Sequence, residues 1–391
     1  VTLIEREPDV AQGASRANGG QLSYRYVSPL ADAGVPLKAL RWLLDPDGPL
    51  RFKPEASWAQ WSWLAAFLRN CRGPVNRRTT ERLLALGAFS QAAFATLCDE
   101  AGLGERIALR TPGKLVVYRK PAEFARVAGR LNGHGAEQAL SHEDCVALEP
   151  ALAQFELGEA TLAGGIFTPG EAVADCHAFC QELFMRLSAH GGFRGRLALP
   201  VRGFLRSAAG AVQGVQTDFG DVPADAVVLA AGLHSRALAA TAGVALPLYP
   251  LKGYSLTAPI GAAHRPPEVS VTDFEKKILY ARIGSDLRVA AMADLVGDDL
   301  SLDARRLASL QRSVRATFPH AADYDRALPW AGLRPATPSG APIVGTSGVP
   351  GLWLNVGHGA LGFTFSFATA AVVAELVSGR ASPLPLDGLV L

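Results

Sequence analysis

Near its end the chain reads Trp330-Ala-Gly-Leu-Arg-Pro-Ala-Thr-Pro-Ser-Gly-Ala-Pro-Ile-Val-Gly345, and further on Asn355-Val-Gly-His-Gly-Ala-Leu-Gly-Phe-Thr364. The first stretch holds one cation, Arg334, whose guanidinium is a rigid fork that fits a carboxylate. The second holds a Gly-x-Gly-x-x-Gly run before a predicted helix, where backbone N–H groups can meet an anion or an electron-rich cofactor edge. We predict that the two stretches flank one reaction centre. A surface ion pair is the alternative for Arg334.

The bulk composition indicates a globular enzyme. The chain has 391 residues, which favours two domains, and its net charge of +2 implies no general attraction to nucleic acid. Five cysteines at irregular spacing favour a reducing compartment, so we expect a cytoplasmic protein. No apolar run reaches about 18 residues without a charge, and no signal peptide is visible, so we expect no transmembrane helix.

The first residues predict a strand that ends in an acid. Val1-Thr-Leu-Ile-Glu-Arg6 is short and apolar before Glu5. In a dinucleotide-binding unit such an acid binds the ribose hydroxyls, about 20 residues after a glycine-rich turn. The alternative is an ordinary surface acid. The small, polar stretch Ala14-Ser-Arg-Ala-Asn-Gly-Gly-Gln-Leu22 is either a close approach of backbone to a ligand or a solvent loop.

Two further stretches suggest the wall of a cleft. Ala226-Val-Val-Leu-Ala-Ala-Gly-Leu-His-Ser235 predicts a strand buried on both faces that runs into small residues. Small residues at a strand's carboxyl end allow a flat cofactor to pass, although a plain tight turn has the same pattern. In the stretch 246–256, Lys252 and Tyr254 are candidate polar groups beside a cleft.

Periodicity predicts the remaining elements. We expect helices at 79–104, 121–131, 141–148, 173–190, 301–318 and 363–377, and strands at 113–119, 193–199, 201–206, 211–217, 277–283 and 287–293. Cys176, His177 and Cys180 share one predicted helix, but no fourth ligand is evident, so we predict no metal site.

The region from Trp42 to Phe67 is rich in aromatic residues. It holds four of the six tryptophans, and Trp58, Trp61, Leu64, Ala65 and Leu68 suit one helical face. One interpretation is core packing. The other is a patch that docks at a membrane surface or binds a quinone, which suits tryptophan and nearby basic residues. These basic residues are Lys38, Arg41, Arg51, Lys53, Arg69 and Arg72.

Several of these motifs, in this order, resemble the FAD-dependent D-amino acid oxidase superfamily, and within it the bacterial D-amino acid dehydrogenases. They are Glu5-Arg6, Ser15-Arg-Ala-Asn-Gly-Gly-Gln-Leu22, Pro250-Leu-Lys-Gly-Tyr-Ser255, Gly332-Leu-Arg-Pro-Ala-Thr-Pro-Ser-Gly-Ala-Pro-Ile-Val-Gly345 and Asn355-Val-Gly-His-Gly-Ala-Leu-Gly362. The likeness covers nearly the whole chain. The family's first strand and phosphate-binding turn would precede Val1, so we expect a shortened sequence.

The resemblance implies an α/β fold, α+β overall. A Rossmann-like FAD-binding domain would take 1–36, 145–240 and 328–391. A substrate domain on an antiparallel sheet would take 37–144 and 241–327. It also implies oxidative deamination of D-amino acids such as D-alanine to 2-oxo acids and ammonia, with a quinone or respiratory-chain acceptor. The location would be cytoplasmic, with peripheral contact at the inner face of the cell membrane through the tryptophan-rich region.

The resemblance also implies roles for individual residues. Arg334 would pair with the substrate carboxylate and direct Cα–H toward flavin N5, and Tyr254 would help bind the carboxylate or close the pocket. No protein base would be required, because the neutral amine's lone pair assists hydride departure. The residues implied to contact FAD are Glu5, Arg6, Ser15, Asn18, Gly19, Gly20, Gln21, Leu22, Val201, Ala231, Gly232, Gly332, Gly357, His358, Gly359, Ala360, Leu361, Gly362 and Thr364.

Two other functions remain open. One is a related flavin enzyme that oxidises glycine, sarcosine or D-proline with O₂. The other is a truncated binding protein that keeps the fold without FAD or catalysis.

Overall fold

The computed structural model describes residues 1–43, 45, 47–131, 136–156 and 162–391, without the side chains at 38, 40, 41, 43, 155 and 156. The strands in this part of the chain are β1 Thr2–Ile4, β2 Gln21–Leu22, β3 Leu50–Phe52, β4 Lys114–Tyr118, β5 Gln138–Leu140, β6 Gly164–Thr168, β7 Ala172–Val173, β8 Arg194–Arg196, β9 Val201–Arg206, β10 Val212–Thr217, β11 Gly220–Pro223, β12 Val227–Leu229, β13 Tyr249–Pro259, β14 Ser270–Asp273, β15 Ile278–Ile283, β16 Asp286–Leu295, β17 Leu328–Ala336, β18 Ile343–Thr346 and β19 Leu352–Val356. The helices are α1 Val35–Leu43, α2 Trp58–Asn70, α3 Gly73–Ala101, α4 Pro121–Ala128, α5 His142–Leu148, α6 Cys176–Ser188, α7 Ser235–Thr241, α8 Ala304–Thr317 and α9 Gly362–Val377.

The largest element is a mostly antiparallel sheet in the order β17-β13-β16-β15-β14-β4-β6-β5, with β3 beside β16. Among the described strands of this sheet, only the β14–β4 and β16–β3 pairs are parallel. Alternation along the strands divides the side chains between two faces. One face packs Leu256 and Val289 against Leu310 and Val314 of α8. The opposite face carries smaller and polar residues and forms the wall of the candidate site.

A second group of smaller sheets lies on the other side of that wall. β1 and β8 pair in parallel, β12 pairs in parallel with β19, and β18 completes that sheet in antiparallel fashion. β9, β10 and β11 form an antiparallel meander. This mixture of a parallel nucleotide-type core and a separate antiparallel sheet confirms the predicted fold class.

Two strands depart from the predicted domain division. β6 lies within the range predicted for the cofactor domain, yet it pairs with β4 and β5 of the large sheet. β17 was expected in that domain as well, but it pairs with β13 along nine residues, from Leu328 to Ala336. Both strands join the large sheet because they pair with strands that are distant in the sequence. Amino-acid composition does not reveal such pairing. The rest of the division stays a prediction.

Most predicted helices are present, with corrections at their starts. α3 begins at Gly73 rather than at residue 79, because Pro74 occupies its first turn, where a missing N–H is tolerated. It ends before Gly102, which adopts the left-handed conformation. β12 was expected to be buried on both faces, which is wrong, because Val228 is 42% exposed.

In the tryptophan-rich helix α2, most of the face that was predicted to pack in the core is exposed to solvent. Trp58 and Trp61 are 85% and 48% exposed, and Leu68 is exposed as well. The buried face instead carries Trp63 and Gln60, whose Nε2 donates to the Tyr249 hydroxyl at 2.7 Å. Core packing is therefore wrong for Trp58, Trp61 and Leu68, whereas Leu64 of the same predicted face is half-buried and packs against the cluster of Trp63 and Tyr249.

Helix α9 corrects the expectation that nothing in the chain is apolar enough to cross a membrane. Residues 359–377 pass that test by length and composition, with one acid, Glu375, near the end. α9 packs against α3, β18 and β19, and Phe365, Ala368 and Val372 are buried. Core helices of globular proteins have the same composition, so internal packing accounts for it.

Candidate active site

A large cavity of about 4280 Å³ lies between the large sheet and the smaller sheets. It brings together most residues singled out in the sequence. Those that line it are Glu5, Arg6, Ser15, Asn18, Gly19, Gly20, Gln21, Val201, Ala231, Gly232, Tyr254, Gly332, Arg334, His358, Gly359, Ala360, Leu361 and Gly362. Leu22, Gly357 and Thr364 lie behind this lining: Leu22 is buried in a hydrophobic cluster, and the Thr364 hydroxyl accepts from the backbone N–H of Ser23 at 3.1 Å.

Arg334 occupies a socket built from two neighbouring strands. Its guanidinium lies over Gly253 of β13, where a Cβ added to the glycine would stand 2.5 Å from Cζ and 2.7 Å from Nη1. Nη1 donates to the backbone carbonyl of Met292 at 2.8 Å. Within the described residues Arg334 forms no ion pair. The remaining N–H donors are available to a ligand in the cavity.

The carbonyl of Met292 reaches the guanidinium because β16 is bulged there. Tyr254 pairs with Ala291 and Lys252 pairs with Asp294, so Met292 and Ala293 together face the single residue Gly253. Met292 has φ of 70°, a left-handed conformation that a side chain rarely adopts within a strand. A bulge of this kind redirects one peptide group, and here it supplies the acceptor that orients Arg334.

The positive charge of Arg334 is not neutralised by an ion-pair partner among the described residues. Burial lowers the pKa of Arg334, and the carboxylate of Asp294 acts in the opposite direction. Asp294 is itself committed to Arg306, whose Nη2 lies 2.6 Å from its Oδ1. An anionic ligand would therefore meet a half-buried cation with little competing charge.

The structure does not bring the Tyr254 ring to Arg334. Tyr254 borders the cavity, but its side chain belongs to the hydrophobic cluster with Leu256 and Leu310 on the α8 side of the sheet. Its neighbour Ser255 points the other way and donates to the Ala17 carbonyl at 2.7 Å. Burial raises the pKa of Tyr254 to about 12. This orientation does not match the carboxylate contact predicted for Tyr254.

The glycine-rich run forms the part of the wall next to the end of β17, where His358 makes a β-bridge with Ala336. A 3₁₀ turn at Gly359–Leu361 leads directly into α9, whose first residue is Gly362. His358 is half-buried, and its Nε2 lies 3.0 Å from the Thr369 hydroxyl. Burial lowers the pKa of His358 to about 4, so the ring is neutral at neutral pH. The wall therefore presents the positive end of a helix dipole without a formal charge, which suits an electron-rich cofactor edge.

The segment from Asn18 to Gln21 fills the space between these walls. The Asn18 side chain accepts from the backbone N–H of Gly20 at 2.9 Å, and Arg288 Nη1 donates to the Asn18 carbonyl at 2.7 Å. Gly20 has φ of 63°, and a Cβ added there would stand 2.7 Å from the Ala174 carbonyl. Only glycine fits this backbone, so the segment is packed on the protein rather than a plain solvent loop, and its approach to a ligand stays a prediction.

The nucleotide end of the cavity fits the predicted ribose contact. Glu5 follows β1, and Ala231 and Gly232 follow β12, as expected for ligands at the carboxyl ends of parallel strands. Asn355 lines the same cavity, and its Oδ1 is buried without a hydrogen-bond partner in the described structure. An orphaned acceptor of this kind indicates a missing polar ligand. The residues present therefore fit FAD.

Several residues that line the cavity or hold Arg334 were given no role by the sequence analysis. They are Gly253, Met292, Lys114, Thr272 and Asn355, of which Gly253 and Asn355 lie inside motifs quoted above. The one available signal was Gly253 itself, because a glycine inside an apolar strand suggests that something approaches the backbone closely. The others depend on strand register.

The cavity lies between a nucleotide-binding core and an antiparallel sheet, and the Arg334 guanidinium on its wall has no ion-pair partner among the described residues. This arrangement is typical of a flavin-dependent oxidoreductase. The chain belongs to the family of FAD-dependent oxidoreductases called DAO, whose model matches residues 1–376. This membership confirms FAD as the cofactor and an oxidoreductase as the class of enzyme.

Named relatives and solved structures agree with this assignment. The chain is 49% identical over 389 residues to D-amino acid dehydrogenase 2 of Pseudomonas aeruginosa, covering 100% of this chain and 92% of that protein. It is 40% identical over 395 residues to D-amino acid dehydrogenase of Paramagnetospirillum magneticum, with the same coverage. Glycine oxidase from Geobacillus kaustophilus has the same fold, with a TM-score of 0.75 at 21% identity over 100% of this chain and 91% of that one.

Proposed function

We propose that this chain is an FAD-dependent dehydrogenase that oxidises D-amino acids to 2-oxo acids and ammonia. The observation that carries the proposal is Arg334, a half-buried guanidinium with no carboxylate partner in the described structure, in the cavity that the glycine-rich run also lines. The D-amino acid dehydrogenases that share up to 49% of its residues support the substrate class.

The chain's own residues account for substrate orientation. Arg334 would bind the α-carboxylate through two parallel N–H···O bonds, and Met292 and Gly253 fix the plane of the fork. When bound, FAD supplies the hydride acceptor. Holding Cα–H in line with it can account for much of the barrier reduction. His358 is neutral and bonded to Thr369, and it is assigned no role as a base. The substrate amine would react in its unprotonated form, and water would complete hydrolysis of the imine.

The visible spectrum tests this proposal. We expect purified protein with FAD to be yellow and to lose its visible flavin absorption anaerobically on addition of D-alanine, but not of L-alanine. Bleaching by glycine or sarcosine alone, with rapid O₂ consumption, would favour the related amine oxidase. Protein that stays colourless after FAD is added would favour the non-catalytic binding protein.

We further propose that the electrons pass to a membrane quinone and that α2 contacts the inner face of the membrane. Trp58, Trp61 and Leu68 form an exposed apolar patch beside the exposed cations Arg69 and Arg72. On the inner side of the same region, Trp42, Trp63 and Phe67 line the cavity. Aromatic residues thus extend from an exposed surface toward the reaction centre, which suits a flat apolar acceptor.

Replacing both exposed tryptophans should weaken membrane binding. We expect Trp58→Ser with Trp61→Ser to reduce sedimentation with anionic lipid vesicles at least fivefold, because interfacial tryptophans and basic residues act together. Phe219→Ser is the matched control, since Phe219 is 83% exposed on a different turn. Equal sedimentation of the double variant and the unchanged protein would remove the membrane role.

A further inference from the structure

Trp330 lies on the cavity face of β17 without a partner in the described chain. Its side chain is half-buried and lines the cavity, two residues before Gly332 and four before Arg334. Because side chains alternate along a strand, these three positions share one face. Among the described residues the indole forms no hydrogen bond and no contact with another aromatic ring.

Trp63 lines the same cavity, but its contacts are all within the protein. Its Nε1 donates to the Ala336 carbonyl at 2.9 Å, and its ring stacks on Phe67 with the centroids 5.3 Å apart. The indole of Trp330 has neither kind of contact in the described structure. It therefore offers an apolar face and an N–H donor to a ligand in the cavity.

The indole of Trp330 lies over Gly332. A Cβ added to Gly332 would stand 2.6 Å from Cζ2 and 2.7 Å from Cζ3 of the ring, so a larger residue would displace it. Gly332 faces Gly253 in the antiparallel register, and the Arg334 guanidinium lies over Gly253. Opposite Cβ positions on antiparallel strands are about 5 Å apart. The benzo ring and the guanidinium are therefore neighbours on a floor of two glycines.

Three parts of the predicted FAD site border this floor. The 3₁₀ turn Gly232–His234, which follows β12 at the nucleotide end, contacts β17. The 3₁₀ turn Gly359–Leu361 of the glycine-rich run contacts β17 as well. Opposite Trp330, Ser255 of β13 donates to the Ala17 carbonyl. A cofactor that contacts all three segments lies beside the cavity face of β17.

We propose that the indole of Trp330 packs against the isoalloxazine ring of FAD and fixes the position of that ring relative to Arg334. This contact deepens the function proposed above, but it requires only that FAD is the cofactor, whichever amino acid is oxidised. Two flat rings attract each other in offset or edge-to-face arrangements. β17 then carries both the substrate anchor and a cofactor contact, two residues on either side of Gly332. A strand holds such a spacing more precisely than a loop does.

The competing ligand for this ring is the side chain of the amino acid, because the indole neighbours the guanidinium that binds the α-carboxylate. The borders of the floor favour the flavin instead. All three belong to segments that were predicted to contact the cofactor, and none of them was predicted to contact the substrate.

The fluorescence of bound FAD in the loaded enzyme tests the contact. An indole beside an oxidised flavin quenches its fluorescence by reversible electron transfer to the excited ring, whereas a phenyl ring is a poor electron donor. We expect Trp330→Phe to raise the fluorescence yield of bound FAD about threefold or more, while the Kd of FAD stays within about threefold because a flat ring remains. A merely structural role for Trp330 would not change the flavin fluorescence in this way.

Trp330→Leu keeps apolar bulk but removes the flat ring. We expect it to raise the fluorescence yield similarly and to raise the Kd of FAD, measured by dilution of the loaded enzyme, by about tenfold, which corresponds to one lost aromatic pair. Trp353→Phe is the matched control, because Trp353 of β19 is half-buried and is not among the residues that line the cavity. It should leave both values nearly unchanged.

Unchanged flavin fluorescence and an unchanged Kd of FAD in Trp330→Leu would overturn the contact. The same result with an altered ratio of kcat/KM for D-leucine over D-alanine would assign the indole to the substrate side chain instead. If Trp330→Leu does not fold, the fluorescence of Trp330→Phe decides the question. Failure of D-alanine to bleach the unchanged protein, with the fluorescence change present, would sink the proposed function and leave the flavin contact standing.

Discussion

Arg334→Ala is expected to lower kcat/KM for D-alanine by roughly 10³-fold, or about 4 kcal/mol in transition-state stabilisation. The guanidinium is the cation over Gly253 that has no ion-pair partner in the described chain. Without it, the α-carboxylate is neither neutralised nor oriented, and Cα–H is no longer aligned. The measurement is steady-state kinetics with an artificial electron acceptor, together with the flavin spectrum.

Flavin content separates lost chemistry from lost folding. The described hydrogen bond of the Arg334 side chain is to Met292 of the large sheet and not to the glycine-rich run, so the variant should retain its yellow colour. Arg334→Lys keeps a charge without the bidentate fork and should recover only part of the loss. Arg312→Ala, an exposed residue paired with Asp47, is the matched control. Unchanged kcat/KM in Arg334→Ala would exclude Arg334 from substrate binding.

Gly253→Ala is expected to lower kcat/KM by about 10²-fold, the penalty typical of a displacement near 1 Å at a reacting group. The added Cβ would stand 2.5 Å from Cζ of Arg334, far inside van der Waals contact. The guanidinium must then leave its socket and lose the bond to the Met292 carbonyl. Kinetics and the Kd of a carboxylate inhibitor, measured by flavin perturbation, should change together.

Gly104→Ala is the matched control, because it replaces a glycine by alanine at a position where the added Cβ meets no other group. No heavy atom lies within 4 Å of a Cβ at that position, and its φ is −48°. It should leave kinetics and thermal stability nearly unchanged. If Gly253→Ala retained full activity, the socket would not position Arg334, and the bulge at Met292 would have only a structural role.

Local motifs were predicted well because their chemistry is contained in a few consecutive residues. The glycine-rich run was placed beside the reaction centre, and the structure puts it at the start of α9 on the cavity wall. The small residues of 15–22 border the same cavity, and close packing at Gly20 permits no side chain there, while their contact with a ligand stays a prediction. Arg334 was identified from the same kind of pattern.

Orientation was predicted poorly because it depends on the partner strand or helix. Tyr254 and Gly253 are adjacent, and a period of two sends one to the α8 side and the other to the cavity. Trp61 and Trp63 differ in the same way on α2, where tertiary contacts bury only Trp63 of the two. In neither case does the choice of amino acid decide which face is buried.

The sequence by itself determined the family, the cofactor and the identity of the fixed cation, because turn glycines and a lone guanidinium act through local geometry. The tertiary structure alone decided how that cation is held. The bulge at Met292 exists only where β16 meets β13, and Lys114 enters the same cavity only because β4 joins the far side of the sheet. The bulge follows from the register between β13 and β16, which no local pattern records. The position of Lys114 follows from the pairing of β4 with β14, which is more than a hundred residues further along the chain.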